Sequence, residues 1–291
     1  MEGSFFTQVL LPATLAFIML GMGLSLVKDD FTRLTKAPKP VVIGLFGQLV
    51  LLPIFAFVLA IVFSAPPEIA IGLMILAACP GGTTSNLISH IAKANLALSV
   101  SLTAIATLIC VVSTPFLIQF SIEYFTQADA SHFSLFDISL KLIVLLLVPI
   151  SLGMLLRRLF SKQARRAEPF FRHFSTIFMI LLIAIITYDE FDSLKESFPN
   201  VFILTFALNI GATVLGVLIA KLSALSKKDG LTLGIEIGTQ NATMAMLISV
   251  SFLDNSAYSI AAGVYGITMY VGAFLLVGYH KTTYKAQPKK S

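Results

Sequence analysis

The chain has 291 residues, 57% of them hydrophobic and only 12% charged, and its mean hydropathy is +0.91. Soluble domains carry about 25% charged residues, so a soluble globular enzyme or binding module is excluded at the outset. The net charge of +5 at pH 7 suits either nucleic acid or a lipid surface, and its distribution along the chain decides between them.

Windows of mostly apolar residues, long enough to cross about 30 Å of hydrocarbon as helices, recur nine times along the sequence. They lie at about 5–27, 41–63, 69–91, 97–121, 138–157, 174–189, 200–221, 230–252 and 257–280. The start, "MEGSFFTQVLLPATLAF", lacks the basic n-region of a signal peptide, so the first window is expected to be a retained span. No segment between windows is long enough to fold separately. The sequence therefore predicts an all-α polytopic membrane protein, with residues 1–291 as one transmembrane domain.

The basic residues alternate sharply by loop. Lys28, Arg33, Lys36, Lys39, Lys93, the run from Arg157 to Arg172, Lys221, Lys227, Lys228 and the tail lysines place 18 of the 20 Lys and Arg on one side. The opposite loops hold only Lys141 and Lys195. The positive-inside rule then puts the odd loops and the C-terminus in the cytoplasm and the N-terminus outside. The basic surplus reads as topology and as a face against anionic membrane lipid; no nucleic-acid partner is expected.

Two windows echo each other. "EIAIGLMILAACPGGTTSNLIS" (68–89) and "DGLTLGIEIGTQNATMAMLIS" (229–249) both begin with an acid, run apolar, turn polar near the middle and close on Leu-Ile-Ser. They are the third and eighth spans, separated by an odd number, so they cross in opposite directions. This predicts inverted repeats over about 5–121 and 174–280, with the span 138–157 left over. Two interrupted segments at matching places in two halves point to a transporter's binding site.

Breaking a helix at membrane depth frees backbone groups that need protein or a wet cavity as partners. Pro80, Gly81 and Gly82 make such a break in 69–91, and the hydroxyls and amide that follow are hard oxygen ligands. Glu236 is the acid near the centre of a span, where a charge costs at least about 2.5–3.5 kcal/mol. No Lys or Arg lies at comparable depth, so this carboxylate must bind a cation or a proton. With Thr239, Gln240 and Asn241 beside it and no His or Cys, the oxygens suit Na⁺ or H⁺ better than a transition metal. Gln48, in "GQLVLLP", and the i, i+4 pair Ser99 and Thr103 add polar groups inside other spans. Cys79 and Cys110 offer no disulfide framework, the four histidines (His90, His132, His173, His280) make no cluster, and no catalytic triad or nucleotide-binding loop is present. An enzyme is not expected.

At these residues the chain resembles the bile acid:sodium symporter family, in its bacterial branch. The resemblance is carried by "GMGLSL" (21–26), "FGQLVLLP" (46–53), "CPGGTTSNLISHIAKANLALSVSLTAIATL" (79–108) and "EIGTQN" (236–241). It implies panel and core domains, two discontinuous helices crossing at the midplane, and two Na⁺ ions behind the crossover. One ion would be held by Ser85, Asn86, Ser99, Thr103 and Glu236. The second would be held by Gln48, Glu236, Gln240 and backbone carbonyls of Ile237 and Thr239. The substrate, an organic anion, would meet the crossover near Thr83, Thr84 and Asn241. Relatives have ten spans where nine are counted here, and Thr84 stands where the family more often has Ala or Ser. The resemblance further implies a multi-pass protein of the bacterial inner membrane, read as a monomer, that imports a bile acid-like anion or a small carboxylate such as pantoate or a keto acid. A proton-coupled carrier on the same fold and a non-transporting ligand sensor are the alternatives.

Overall fold

The computed structural model describes residues 6–127 and 135–285. Residues 1–5, 128–134 and 286–291, which include His132, most of the loop after the fourth span and the tail residues Lys289 and Lys290, lie outside the described residues. Every described segment of regular structure is helical: α1 (Leu11–Ser25), α2 (Lys28–Lys36), α3 (Pro38–Val62), α4 (Pro67–Ala78), α5 (Thr83–Ile91), α6 (Leu96–Thr126), α7 (Ile138–Leu159), α8 (Ser161–Asp189), α9 (Phe191–Leu222), α10 (Lys227–Gly238), α11 (Ala242–Phe252) and α12 (Ser259–Lys285). Among the described residues, seven helical segments are long and apolar enough to cross a membrane, and the shorter helices α4 and α11 belong to the two interrupted spans. The protein is a polytopic α-helical membrane protein.

Local sequence chemistry sets the helix starts. Proline occupies the first turn of α1, α3 and α4, where its missing N–H has no partner to lose. Asn95, Ser226 and Asn241 cap α6, α10 and α11, each accepting a backbone N–H with its side-chain oxygen. The Asn95 and Ser226 caps are tied together through Asp229, which accepts from the Asn95 amide at 2.8 Å and from the Ser226 hydroxyl at 2.7 Å. Three of the four described π-helical turns, Phe6–Leu10, Gly47–Leu51 and Ile143–Leu147, end just ahead of a residue–proline pair (Pro12, Pro53, Pro149), and the fourth, Ile248–Phe252, has no such pair after it. Proline clashes with the carbonyl of the preceding turn, and widening that turn to a π-bulge relieves the clash.

Two stretches read as loops are helical. The basic run "RRLFSKQARRAEPFFRH" becomes the end of α7 and the first turns of α8, with only Phe160 between them. The acidic run 188–200 becomes the end of α8 and the start of α9, broken only at Glu190. Good helix formers, Lys, Arg, Gln, Glu and Ala, carry both helices past the apolar window, so hydropathy alone sets their limits too short. The first basic loop likewise holds α2, an amphipathic helix with Phe31 packed on the core and Lys28, Arg33 and Lys36 outward.

Helix α1 packs against α7 and α8, whereas α9 packs against α10 and α12, and α4 against α3, α6 and α12. The interrupted spans lie at the centre of this second group. All the residues of α4 from Ile69 to Ala78 and of α10 from Gly230 to Gly238 are buried, as expected for helices shielded from lipid on all sides.

Candidate functional site

Where α4 gives way to α5 and α10 gives way to α11, two extended peptides run antiparallel. Gly81 and Gln240 form an isolated β-bridge, and the Asn241 N–H donates to the Pro80 carbonyl at 3.0 Å. Each break thus satisfies part of the other's freed backbone. The exposed carbonyl ends of the first half-helices are closed by side chains. Thr114 donates to the Ala78 carbonyl at 2.8 Å and Gln48 to the Cys79 carbonyl at 3.3 Å. At the other break, Asn209 and Tyr265 both donate to the Gly238 carbonyl, at 2.7 and 2.8 Å.

Behind the crossover lies Glu236, 1% exposed. Its carboxylate accepts from the Ser99 hydroxyl at 2.7 Å and from the Thr103 hydroxyl. The same two hydroxyls lie 2.8 and 3.4 Å from the Asn86 side-chain oxygen. The Thr103 hydroxyl also lies 3.1 Å from the Ser99 carbonyl, so two hydroxyl hydrogens face four acceptor oxygens, two of which belong to a carboxylate. No described Lys, Arg or His forms an ion pair with Glu236; the one described ion pair is Arg172–Glu168. An oxygen cluster with surplus acceptors and no cation is suited to a hard monovalent ion. The described residues hold no group of three His, Cys, Asp or Glu that would favour a transition metal.

Of the first expected ion set, Asn86, Ser99, Thr103 and Glu236 are in mutual contact. Ser85 lies against the same carboxylate, and its hydroxyl donates to the Gly82 carbonyl at 2.8 Å. Gly81 is needed here for space, because a Cβ on it would stand 2.6 Å from a Glu236 carboxylate oxygen and 3.3 Å from the Ser85 hydroxyl. Of the second set, Gln48 donates to the Gln240 side-chain oxygen at 2.6 Å, and Gln240 donates to the Ile237 carbonyl at 2.7 Å. The Thr239 hydroxyl is buried with no hydrogen-bond partner. Gln48 reaches the crossover from the π-bulge Gly47–Leu51.

In front of the crossover a cavity of about 320 Å³ opens towards the end of the bundle that carries the basic loops. Thr83 and Asn86 line its inner part, and His90, Glu168 and Arg172 its mouth. A small chamber of about 30 Å³ continues inward and brings Thr83, Thr84 and Asn241 together with Gly82 and Gln240. The Asn241 oxygen is used by the Met244 N–H at 3.1 Å, which leaves its amide N–H₂ as the free donor. Both half-helices α5 and α11 begin at this chamber, and their positive ends favour an anion.

Asn209 and Tyr265 were not among the residues singled out from the sequence. Asn209 also donates to the Met269 carbonyl at 3.0 Å and accepts from the Gly272 N–H at 2.8 Å, so it joins α9, α10 and α12. A lone amide in the apolar run "FALNIGATV" is the same signal that marked Gln48. Tyr265 carries no such signal, since a tyrosine in a span is unexceptional.

A family model described as the Sodium Bile acid symporter family matches residues 12–197. An uncharacterised sodium-dependent transporter of Bacillus subtilis (strain 168) is 34% identical over 245 residues, covering 84% of this chain and 74% of that protein. A probable chloroplast sodium/metabolite cotransporter of Arabidopsis thaliana is 26% identical over 264 residues, 91% of this chain and 65% of the relative. The ileal sodium/bile acid cotransporter of Homo sapiens is 26% identical over 246 residues, 84% of this chain and 70% of the relative. The chain thus spans about three-quarters of the bacterial relative and a little under two-thirds of the plant one. With its two interrupted, crossing spans and its family match over more than half its length, the chain belongs to the sodium bile acid symporter family.

Proposed function

We propose that the protein is a sodium-coupled secondary active symporter that imports a small organic anion by alternating access across a bacterial cytoplasmic membrane. The observation that carries this reading is Glu236: a fully buried carboxylate without an ion pair, set among hydroxyl and amide oxygens at the crossing of two broken helices. One Na⁺ is assigned to Ser85, Asn86, Ser99, Thr103 and Glu236. The other is assigned to Glu236, Gln48, Gln240 and the carbonyls of Ile237 and Thr239. The anion's carboxylate is assigned to the chamber at Thr83, Thr84 and Asn241. The basic end is taken as cytoplasmic, and spans 1–4 and 6–9 as inverted repeats divided between a panel around α1, α7 and α8 and a core around the crossover.

Coupling follows from shared parts. Ions that fix Glu236, Gln240 and Asn86 also fix the peptides from which the half-helix ends reach the anion. Two Na⁺ with a monovalent anion move one net positive charge inward, and at 100 mV this contributes about 2.3 kcal/mol beyond the sodium gradient. The names of the relatives, sodium-dependent transporter and sodium/metabolite cotransporter, support the same reading.

Purified protein in proteoliposomes, loaded with potassium and diluted into sodium, tests it with labelled pantoate and a labelled keto acid. Uptake is expected with an inward sodium gradient and not with potassium outside. Uptake that ignores sodium and follows an imposed proton gradient would replace sodium by the proton on the same fold.

A further inference from the structure

The cavity in front of the crossover offers anion-binding groups at two places. At its blind end stand the first turns of α5 and α11; at its mouth stands Arg172. Arg172 shares one face of α8 with Glu168, Phe171 and Ser175, an i, i+3, i+4, i+7 set, and all four line the cavity. Arg172 therefore lies on the cavity face of α8, unlike Arg165 and Arg166, which do not line the cavity. Its ion pair with Glu168 is long, 3.8 Å, and both side chains are about one-third exposed. Such pairs contribute little, so Arg172 keeps most of its planar fork of donors for a ligand. His90, on α5, lines the same mouth. The volume, about 320 Å³, lies at the lower limit for small-molecule sites, which favours a compact solute that touches both ends over a steroid-sized one.

We propose that Arg172 is a specificity-determining residue that takes a second acid group of the transported anion, so that the site is built for a short dicarboxylate. One carboxylate occupies the chamber at Thr83, Thr84 and Asn241; the other pairs with the Arg172 fork and displaces Glu168 from it. The assignment rests on the transport reading above. It replaces the charge balance given above for a monovalent anion: a dianion carried with two Na⁺ makes the cycle electroneutral.

Thermal unfolding in saturating NaCl, titrated with glutarate and with valerate, tests this directly. Both probes have five carbons and differ in the second acid group. Wild type is expected to bind glutarate at least tenfold more tightly than valerate, in the range of a charge-assisted bidentate pair. Arg172→Gln should reduce that ratio to below threefold, with the sodium-induced shift unchanged. Arg172→Lys should fall between. Glu168→Gln, which frees the fork, should keep or raise the ratio and serves as a second variant at the same face. Equal binding of the two probes by wild type, or an equal loss of both in Arg172→Gln, would overturn the dicarboxylate assignment while the sodium response persists. A wild type with no sodium-induced shift would overturn the symport reading itself.

Discussion

Exchanging Glu236 for Gln removes one charge and keeps the shape. In KCl the variant should be no less stable than wild type, because an ionised carboxylate near the centre of a span costs about 2.5–3.5 kcal/mol or more, and the Gln oxygen still accepts from one of the Ser99 and Thr103 hydroxyls. In NaCl the two proteins should part. An ion at 100 times its dissociation constant stabilises by about 2.7 kcal/mol per site. An unfolding entropy of about 2.1 cal/mol/K per residue over 291 residues amounts to about 0.6 kcal/mol/K, so one filled site raises Tm by about 4 °C. Helices that persist in detergent-unfolded protein lower that entropy and enlarge the shift. Removing the charged partner of a desolvated pair costs about 3–5 kcal/mol, or at least two decades in sodium affinity. The assay is unfolding of wild type and Glu236→Gln in NaCl and in KCl at equal ionic strength. Wild type should show a sodium-specific rise and the variant none up to molar salt. A variant that keeps the full rise would show that the carboxylate is not the ion ligand, and the reasoning from surplus acceptors would fail with it.

The remaining predictions concern the supports of the site. Gly81→Ala places a methyl group 2.6 Å from a Glu236 oxygen; it should cost about 1–3 kcal/mol and abolish the sodium-specific rise, and an unaltered rise in a folded variant would contradict the packing. Asn209→Ala leaves the Gly272 N–H and the Met269 carbonyl without their partner and should lower stability by about 1–3 kcal/mol in both salts, with sodium affinity changed far less than by Glu236→Gln. At the opposite end of the bundle, the Ser256 hydroxyl donates to Glu190 beside an apolar cavity of about 260 Å³ that Thr268 lines. Glu190→Ala removes this bond, and maleimide labelling of a Thr268→Cys reporter from the acidic side should quicken by about tenfold, as expected for loss of a hydrogen bond to a charged group; labelling at the wild-type rate would deny the bond a role in closing that end.

The composition and charge alternation made the fold class legible, since an apolar window of membrane length has few other uses. The polar interruptions marked the site for the same reason: Gln48, Ser99, Thr103, Glu236 and Gln240 are conspicuous because their neighbours are not polar. Asn209 is equally conspicuous, a lone amide in an apolar run, but with no charge beside it in the sequence nothing there ties it to the site. What hydropathy cannot show is where a helix ends once it leaves hydrocarbon. The basic start of α8 and the acidic start of α9 looked like loops because their residues are polar, although those residues favour helix. The π-bulge that delivers Gln48 depends on Pro53 four residues after Leu49, and a proline in a window predicts a kink without saying which side chain it turns inward. The closure between Glu190 and Ser256 joins residues 66 apart in sequence, a contact that only the packing of α8 against the last spans creates.

The two breaks are held alike and charged differently. Each first half-helix ends on carbonyls that accept from a side chain of the preceding span and from one of the following span: Cys79 from Gln48 and Ala78 from Thr114 at the end of α4, and Gly238 from both Asn209 and Tyr265 at the end of α10. An inverted repeat would produce this likeness. The carboxylate occurs in only one of them, on α10, while its hydroxyl partners stand on α6. A cation drawn to Glu236 therefore joins the second interrupted span to the first half of the molecule. Gln240 and Asn241 are neighbours on one extended peptide, and successive side chains of such a peptide point to opposite faces. Gln240 turns back to Gln48 and the Ile237 carbonyl, and Asn241 faces the chamber in front. On the proposed assignment, ion and anion would act on adjacent residues of one short extended peptide. That peptide is held across the crossing by Gly81 and Pro80, so on the proposed assignment occupancy on one face would set the geometry offered on the other, without any signal travelling through the bundle.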